Sequence, residues 1–390
     1  MPYTFGMSPV APPSGTASAI RGGKLSRFWQ RISEGRQLDE LWSQFSADAR
    51  ASYGFYMKEA DSEEMVNQRG RPRYGRIIKT LFWSLMMKLT PARRVLLVIA
   101  CCLLFVSSAQ FKFGKNTEFD FNFTIFSALA LLFLLALELA DKVTMKRDLE
   151  IAREIQTWLV PSSPPSVPNA DVAFASRPQN SVAGDYYDAF FPTADAANGG
   201  NLLLVIADVA GKSIPAALLM ATLQASLRTI AGEGAPLLDL IVRLNRYASA
   251  HSLDGRRFTT AVIGEYEPAT RRLVYVNAGH NAPIVRRANG TTESLEAGGL
   301  PLGIDADATY VTGEVSLQAG DALIFYTDGV IEAFDERGEE FGNTRWLEAV
   351  RALPAWDAAE SLKFLMKRVD EFVRATRQSD DITCLVLRCK

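Results

Sequence analysis

LLLVIADVAGKSIPAALLMATLQASLRTI, residues 202–230, decides how the C-terminal half folds. An apolar strand runs to its rim and stops on an acid, Asp208; the short VAGKS turn then enters a long helix from Ile214. Gly211 permits the tight turn, and the backbone carbonyl of Val209 adds an oxygen beside the carboxylate. LIFYTDGV at 323–330 repeats the arrangement, with Asp328 at the strand end and Gly329 leaving room for close packing. SDDIT at 379–383 places Asp380 and Asp381 just before a strand, and GDYYD at 184–188 places Asp185 and Asp188 at the start of another. Four separated segments thus bring carboxylates to strand rims.

Carboxylates and carbonyls suit hard divalent cations. Mg²⁺ and Mn²⁺ prefer oxygen ligands, and two such ions can clamp a phosphoryl group and acidify a water. A nitrogen or sulfur site has little to draw on, because the chain has only two histidines, His251 and His280, and four cysteines with no CxxC pair. An isolated aspartate before glycine is usually a turn residue, so the case rests on the four motifs together. VAGKS is not a phosphate-binding loop, since Ile206 stands where the first glycine of GxxxxGKS belongs.

The chain has 390 residues, 48% hydrophobic and 22% charged, enough for an ordered protein of more than one domain. Its net charge of −2 argues against nucleic acid as a bulk electrostatic partner. Over residues 170–390 the patterning predicts strands at 172–176, 186–191, 202–207, 259–266, 272–277, 284–287, 322–326 and 382–388. Helices are predicted at 214–230, 237–249, 344–351 and 358–375, and ANGT at 288–291 marks a hairpin. Strands outnumber helices, which favours an α+β arrangement of antiparallel sheets flanked by helices over a doubly wound parallel sheet.

The middle of the chain is apolar. Residues 95–111 and 121–137 carry no charge, and each would cover about 25 Å of hydrocarbon as a helix. They predict transmembrane helices over 93–111 and 120–140. Seven basic residues and no acid between 71 and 94, with Lys142, Lys146 and Arg147 after the second span, place both termini on the cytoplasmic side of the inner membrane. Residues 75–91 have the spacing of an amphipathic juxtamembrane helix, or of one packed on the N-terminal region; 1–74 carry no motif and begin in a Pro- and Ser-rich stretch expected to be disordered. A linker helix over 141–160 carries a stripe at Ile151, Ile155 and Trp158 or Leu159, suited to homodimerisation or to docking on the catalytic domain, and Pro161, Pro164, Pro165 and Pro168 end it.

The order GDYYD, ADVAGKSIPAALLMA, NAGHNAP, GLPLGI, LIFYTDGVIEA and SDDIT resembles the bacterial branch of the metal-dependent protein phosphatase 2C (PP2C) superfamily, of the stage II sporulation protein E and sigma-factor regulator type. The resemblance covers about 151–390, including AREIQTWLVP, which is similar to the linker helix before such catalytic domains. It implies an α-β-β-α sandwich holding two Mn²⁺ or Mg²⁺ ions at one edge. By motif, Asp208 would bridge both ions, the Val209 carbonyl would complete one shell, Asp328 and Asp380 would hold the second ion, and Asp185 would bind directly or through water. Asp188 and Asp381 could be ligands or hydrogen-bonding partners.

The implied activity is in-line hydrolysis of phosphoserine or phosphothreonine by a metal-bridging water or hydroxide, with Asp208 and Asp328 acting through that water. The implied substrate is a bacterial partner-switching protein of the anti-sigma-factor antagonist type. Eukaryotic relatives grip phosphate with an arginine shortly before the first acidic motif, and Arg177 is the candidate here. His280 is a general acid or a buried histidine bonding a neighbouring strand. Two rival functions are a membrane-bound nucleotidyl cyclase, which lacks base-selecting residues here, and a catalytically silent scaffold.

Overall fold

The computed structural model describes Trp83 and residues 86–106, 108–113, 117–192, 200–252 and 257–390. The N-terminal region 1–74 and most of the amphipathic segment 75–91 lie outside the described residues. The chain divides into two compact units, Met1–Leu139 and Ala140–Lys390.

In the first unit α1 spans Pro91–Val106. A hairpin follows, β1 (Ser108–Phe113) pairing antiparallel with β2 (Thr117–Asn122). The helix expected over 93–111 therefore stops at Val106, and residues 108–111 are strand. The sequence explains the change: Gln110-Phe111-Lys112-Phe113 and Glu118-Phe119-Asp120-Phe121-Asn122 alternate polar and apolar residues with the period of a strand. At 16 residues α1 is about 24 Å long, short of the roughly 30 Å of bilayer hydrocarbon.

The second span and the linker expected to follow it are one helix, α2, Thr124–Leu159. Ile125, Leu129, Leu132, Phe133 and Leu135 are exposed along its first turns, which is costly in water and ordinary in lipid. Ser127 is buried and its hydroxyl donates to the Ala100 carbonyl at 2.7 Å, while Arg93 pairs with Glu138 at 2.8 Å. Among the described residues two helices are long and apolar enough to cross a membrane, α2 and Ile214–Gly232. The second of these is a core helix of the C-terminal unit.

That unit is a four-layer sandwich. One sheet is ordered β10-β7-β6-β5-β4, from β4 (Tyr186–Phe190), β5 (Leu202–Val209), β6 (Thr259–Glu267), β7 (Arg272–Ala278) and β10 (Gly298–Gly299), with β11 (Gly313–Ser316) also on β7. The other is ordered β3-β13-β12-β8-β9, from β3 (Ala170–Arg177), β8 (Ile284–Arg286), β9 (Thr292–Ser294), β12 (Ala322–Tyr326) and β13 (Ile382–Cys389). Apart from β10 with β7, every pair in these two sheets is antiparallel. Helices α3 (Ile214–Gly232) and α4 (Leu237–Ala250) cover the first sheet; α5 (Asp328–Ile331), α6 (Gly342–Arg351) and α7 (Ala358–Val373) belong to the second side.

Three apolar layers hold this together. Leu202, Leu204, Ile206, Val262, Phe325, Leu385 and Leu387 fill the space between the sheets. Leu203, Val205, Ala207, Met220, Leu227 and Leu244 join the first sheet to α3 and α4. Ile324, Val386, Trp346, Leu365 and Met366 join the second sheet to α6 and α7. A strand buried on both faces has no polar alternation, which is why β5 reads as an unbroken apolar run. Each fully buried Leu or Ile contributes about 1.5–3 kcal/mol, so the strands are held firmly and their ends can carry groups that repel one another.

Candidate metal centre

Strand ends assemble the acidic rim. Asp208 is the first residue of β5 that is not fully buried, and Asp185 lies one step beyond the Tyr186–Ala207 pair that joins β4 to β5. On the second sheet Tyr326 of β12 pairs with Cys384 of β13, which sets Thr327 and Asp328 beside the Asp380–Thr383 segment. The Thr327 N–H donates to the Thr383 carbonyl at 3.0 Å, and the Thr383 N–H donates to Thr327 Oγ1 at 3.0 Å. Close packing here requires glycine: a Cβ on Gly329 would lie 1.9 Å from the Asp381 carbonyl oxygen.

Asp185 is buried and receives two hydroxyls on Oδ2, Thr327 Oγ1 at 3.0 Å and Thr383 Oγ1 at 2.5 Å. Burial and the neighbouring charges of Asp208 and Asp381 hold its carboxyl well above the usual range, while the two hydroxyls act the other way. Burial, then Asp328, Asp380 and Asp381, push Asp208 up to about 7, partly offset by its hydrogen bond with Asp185. Asp328 is raised by burial and then by Asp380, with Lys212 among the groups opposing the shift. These acids crowd one another, and the metal-free site keeps protons it would otherwise lose.

The second acids of two motifs do other work. Asp381 accepts the backbone N–H of Gln179 on one oxygen and of Gly184 on the other, both at 2.6 Å, which pins the loop leading to Asp185. Asp188 is fully buried, accepts the Tyr186 hydroxyl at 2.6 Å, and binds Arg228 through Nε and Nη2 at 2.9 Å each. Arg228 also stacks over Phe190, 4.0 Å from the ring centroid. Asp188 is therefore apart from the rim, in a buried ion pair with α3. Arg177, at the end of β3 opposite Ile382, bonds Asp370 of α7 through both of its terminal nitrogens.

Several residues at the rim escape a reading for acids alone. Lys212 Nζ lies 3.0 Å from Asp380 Oδ2 and 3.1 Å from the Ser379 carbonyl. Glu332, four residues after Asp328, is raised by burial and then by the charges of Asp328, Glu340 and Asp380. Thr327 and Thr383 orient Asp185. Their signal was adjacency: each lies inside an acidic motif. His280 is buried beside Thr260, with Nδ1 2.8 Å from Thr260 Oγ1. Burial lowers its pKa to about 4, with the backbone of Tyr326 opposing the shift. Thr260 is the register partner of Asp208, so His280 buttresses the end of β5 through β6.

Among the described residues no group of three His, Cys, Asp or Glu side chains is set, as it stands, to hold an ion. The donor chemistry nevertheless fits hard divalent cations. The Val209 carbonyl and Asp208 Oδ1 open on the same small space, where a Cβ on Gly184 would stand 3.2 Å and 3.6 Å from them. All the donors are oxygens, and the mutual repulsion that raises Asp208 and Asp328 is what a cation would relieve.

Residues 198–390 match the family model described as Stage II sporulation protein E (SpoIIE). Protein IcfG of Synechocystis sp. is 28% identical over 280 residues, 65% of this chain and 43% of its own length. The phosphoserine phosphatase RsbU of Bacillus subtilis is 28% identical over 249 residues, 63% of this chain and 71% of its own length. The chain thus spans less than half of the first relative. Among solved structures, the SiaA-PP2C domain of Pseudomonas aeruginosa is similar in fold, with a TM-score of 0.54 and 20% identity over 64% of this chain and 99% of that one.

Proposed function

We propose, from the premise that residues 198–390 belong to a SpoIIE-type PP2C phosphatase domain, that this chain is a divalent-metal-dependent phosphatase acting on phosphoserine or phosphothreonine of a partner protein. The observation that carries the reading is the gathering of Asp185, Asp208, Asp328 and Asp380 from four strand ends at one rim, where Asp208 feels both Asp328 and Asp380 and bonds Asp185. Asp208, the Val209 carbonyl, Asp328 and Asp380 would hold two Mn²⁺ or Mg²⁺ ions, with Asp185 completing the set. Bound there, the ions supply charge stabilisation to the phosphoryl oxygens and a more acidic water.

The chain's own groups supply position. Thr327 and Thr383 hold the Asp185 carboxylate in one orientation, and Asp381 holds the loop before it. His280 is neutral at physiological pH, so it serves as a fixed brace on Thr260 and not as a proton donor to the leaving serine. The substrate class follows the resemblance to sigma-factor regulators, an anti-sigma-factor antagonist or similar switch protein. A nucleotidyl cyclase has no support in a SpoIIE-type domain.

Anchoring in the cytoplasmic membrane, with the catalytic domain on the cytoplasmic side, is supported by the lipid-compatible face of α2 and the basic flanks. Homodimerisation through the linker is supported by Ile151, Ile155 and Trp158, which are exposed, Trp158 to 75%.

The test is turnover of a phosphoserine peptide by the full chain in detergent, with and without Mn²⁺. Hydrolysis should require the metal, and Asp208→Asn or Asp328→Asn should each lower kcat by on the order of a hundredfold or more. No turnover by a wild-type chain that still binds Mn²⁺ would establish the silent scaffold instead.

A further inference from the structure

Lys212 is the cation at the acidic rim, and Asp380 is its partner at 3.0 Å. Its charge also reaches Asp328 and Glu332. The side chain is 56% exposed, so this ion pair is weak and the ammonium is free to move. Arg257 lies against the same turn: its Nη1 would be 3.3 Å from a Cβ on Gly211. Its guanidinium makes no hydrogen bond or ion pair among the described residues. Gly211 has φ +120°, a conformation that favours glycine, and the missing side chain leaves bare backbone beside the Arg257 guanidinium.

A phosphate monoester dianion arriving at this rim meets carboxylates that repel it. Cations held by those carboxylates remove part of the repulsion, but the outer phosphoryl oxygens still need donors from the protein. Arg177, the candidate by resemblance, pairs with Asp370 in an ion pair about as exposed as that of Lys212, so it does not by itself fill this need. With a divalent cation held by Asp380 the ammonium would lose this partner, which would leave Lys212 within a side chain's reach of the rim.

We propose that Lys212 and Arg257, at the Gly211 turn, form the phosphoryl-receiving pair of this site and bind the outer oxygens of a phosphomonoester or of inorganic phosphate. This rests on the phosphatase reading above. The competing account is that Lys212 serves only as a counter-ion to Asp380 and that Arg257 is a solvated surface residue.

The test uses the full chain in detergent, loaded with Mn²⁺. Lys212→Met and Arg257→Met should each raise KM for a phosphoserine peptide about tenfold, with a smaller fall in kcat. The inhibition constant of inorganic phosphate should rise in parallel. Lys212→Arg should recover most of the loss, because a cation is kept at the same place. Mn²⁺ binding, titrated separately, should be unchanged or tighter in Lys212→Met, since Asp380 loses a competing partner. Unchanged KM and phosphate inhibition in both Met variants would overturn the assignment, as would a KM increase matched by weaker Mn²⁺ binding. Equilibrium dialysis with labelled phosphate needs no turnover. If the wild type binds phosphate through Lys212 and Arg257 but hydrolyses nothing, the phosphatase reading fails and the pair stands.

Discussion

At Asp208, burial and three neighbouring carboxylates raise the proton affinity so that the group titrates at about 7 instead of 3.8. In the metal-free protein the folded state keeps a proton through this window that the unfolded chain has released. Stability present below 3.8 is therefore lost as pH rises to about 7. Thermal unfolding of the metal-stripped chain should show this decline, with Asp208→Asn flattening it by on the order of 1 kcal/mol. Saturating Mn²⁺ should reverse the slope, because cation binding requires the deprotonated acids. A stability difference between wild type and Asp208→Asn that stays constant from pH 4 to 7 would contradict the crowding. Asp208 and Asp328 were legible as acids ending apolar runs. The two acids of GDYYD could also have been separated by strand alternation, since residues three apart face opposite ways: Asp185 turns to the rim, and Asp188 shares the Tyr186 face with Arg228. The fate of Arg177 was not legible, because its partner Asp370 lies 193 residues away.

At the scale of elements, α2 bears on what the apolar stripe left open. Ile151, Ile155 and Trp158 are exposed, whereas Gln156 faces the catalytic unit: its Nε2 donates to the Ala183 carbonyl at 2.7 Å, and its Oε1 accepts the Ala183 N–H at 2.9 Å. Val160 packs on the core layer beneath α3 and α4. The helix thus docks beside the stripe, whose Ile151, Ile155 and Trp158 stay exposed. Strand and helix positions in 170–390 were largely readable from periodicity. The short β9, β10, β11 and α5 were not, because two to four residues carry no period. The β1–β2 hairpin was overlooked because absence of charge, which marks a span, is blind to alternation. Cysteine variants in a chain whose four native cysteines are replaced test both the topology and the pairing. Trp158→Cys should form a disulfide-linked dimer on oxidation in membranes, and Asn116→Cys should react with an impermeant maleimide from outside intact cells. A monomeric Trp158→Cys chain would remove the pairing surface, and labelling of position 116 only from the cytoplasmic side would invert the topology.

The whole C-terminal unit is built so that two sheets, each buried by its own helices, bring repelling groups together at one edge. Three apolar layers hold the strands, and the strand ends carry the acids, so crowding is relieved by protonation at low pH and is drawn from the stability of the fold as the acids ionise. The acids from β4 and β5 belong to one sheet and those beside β12 and β13 to the other. A cation between them would tie the sheets together as well as prepare chemistry. The central claim is therefore metal binding by this rim, and a calorimetric titration of Mn²⁺ into the metal-stripped full chain at pH 7.5 measures it directly. The account predicts saturable binding of two ions per chain with proton release, reduced in stoichiometry or affinity by Asp328→Asn. Absence of saturable binding, or an isotherm that Asp208→Asn and Asp328→Asn leave unchanged, would contradict it.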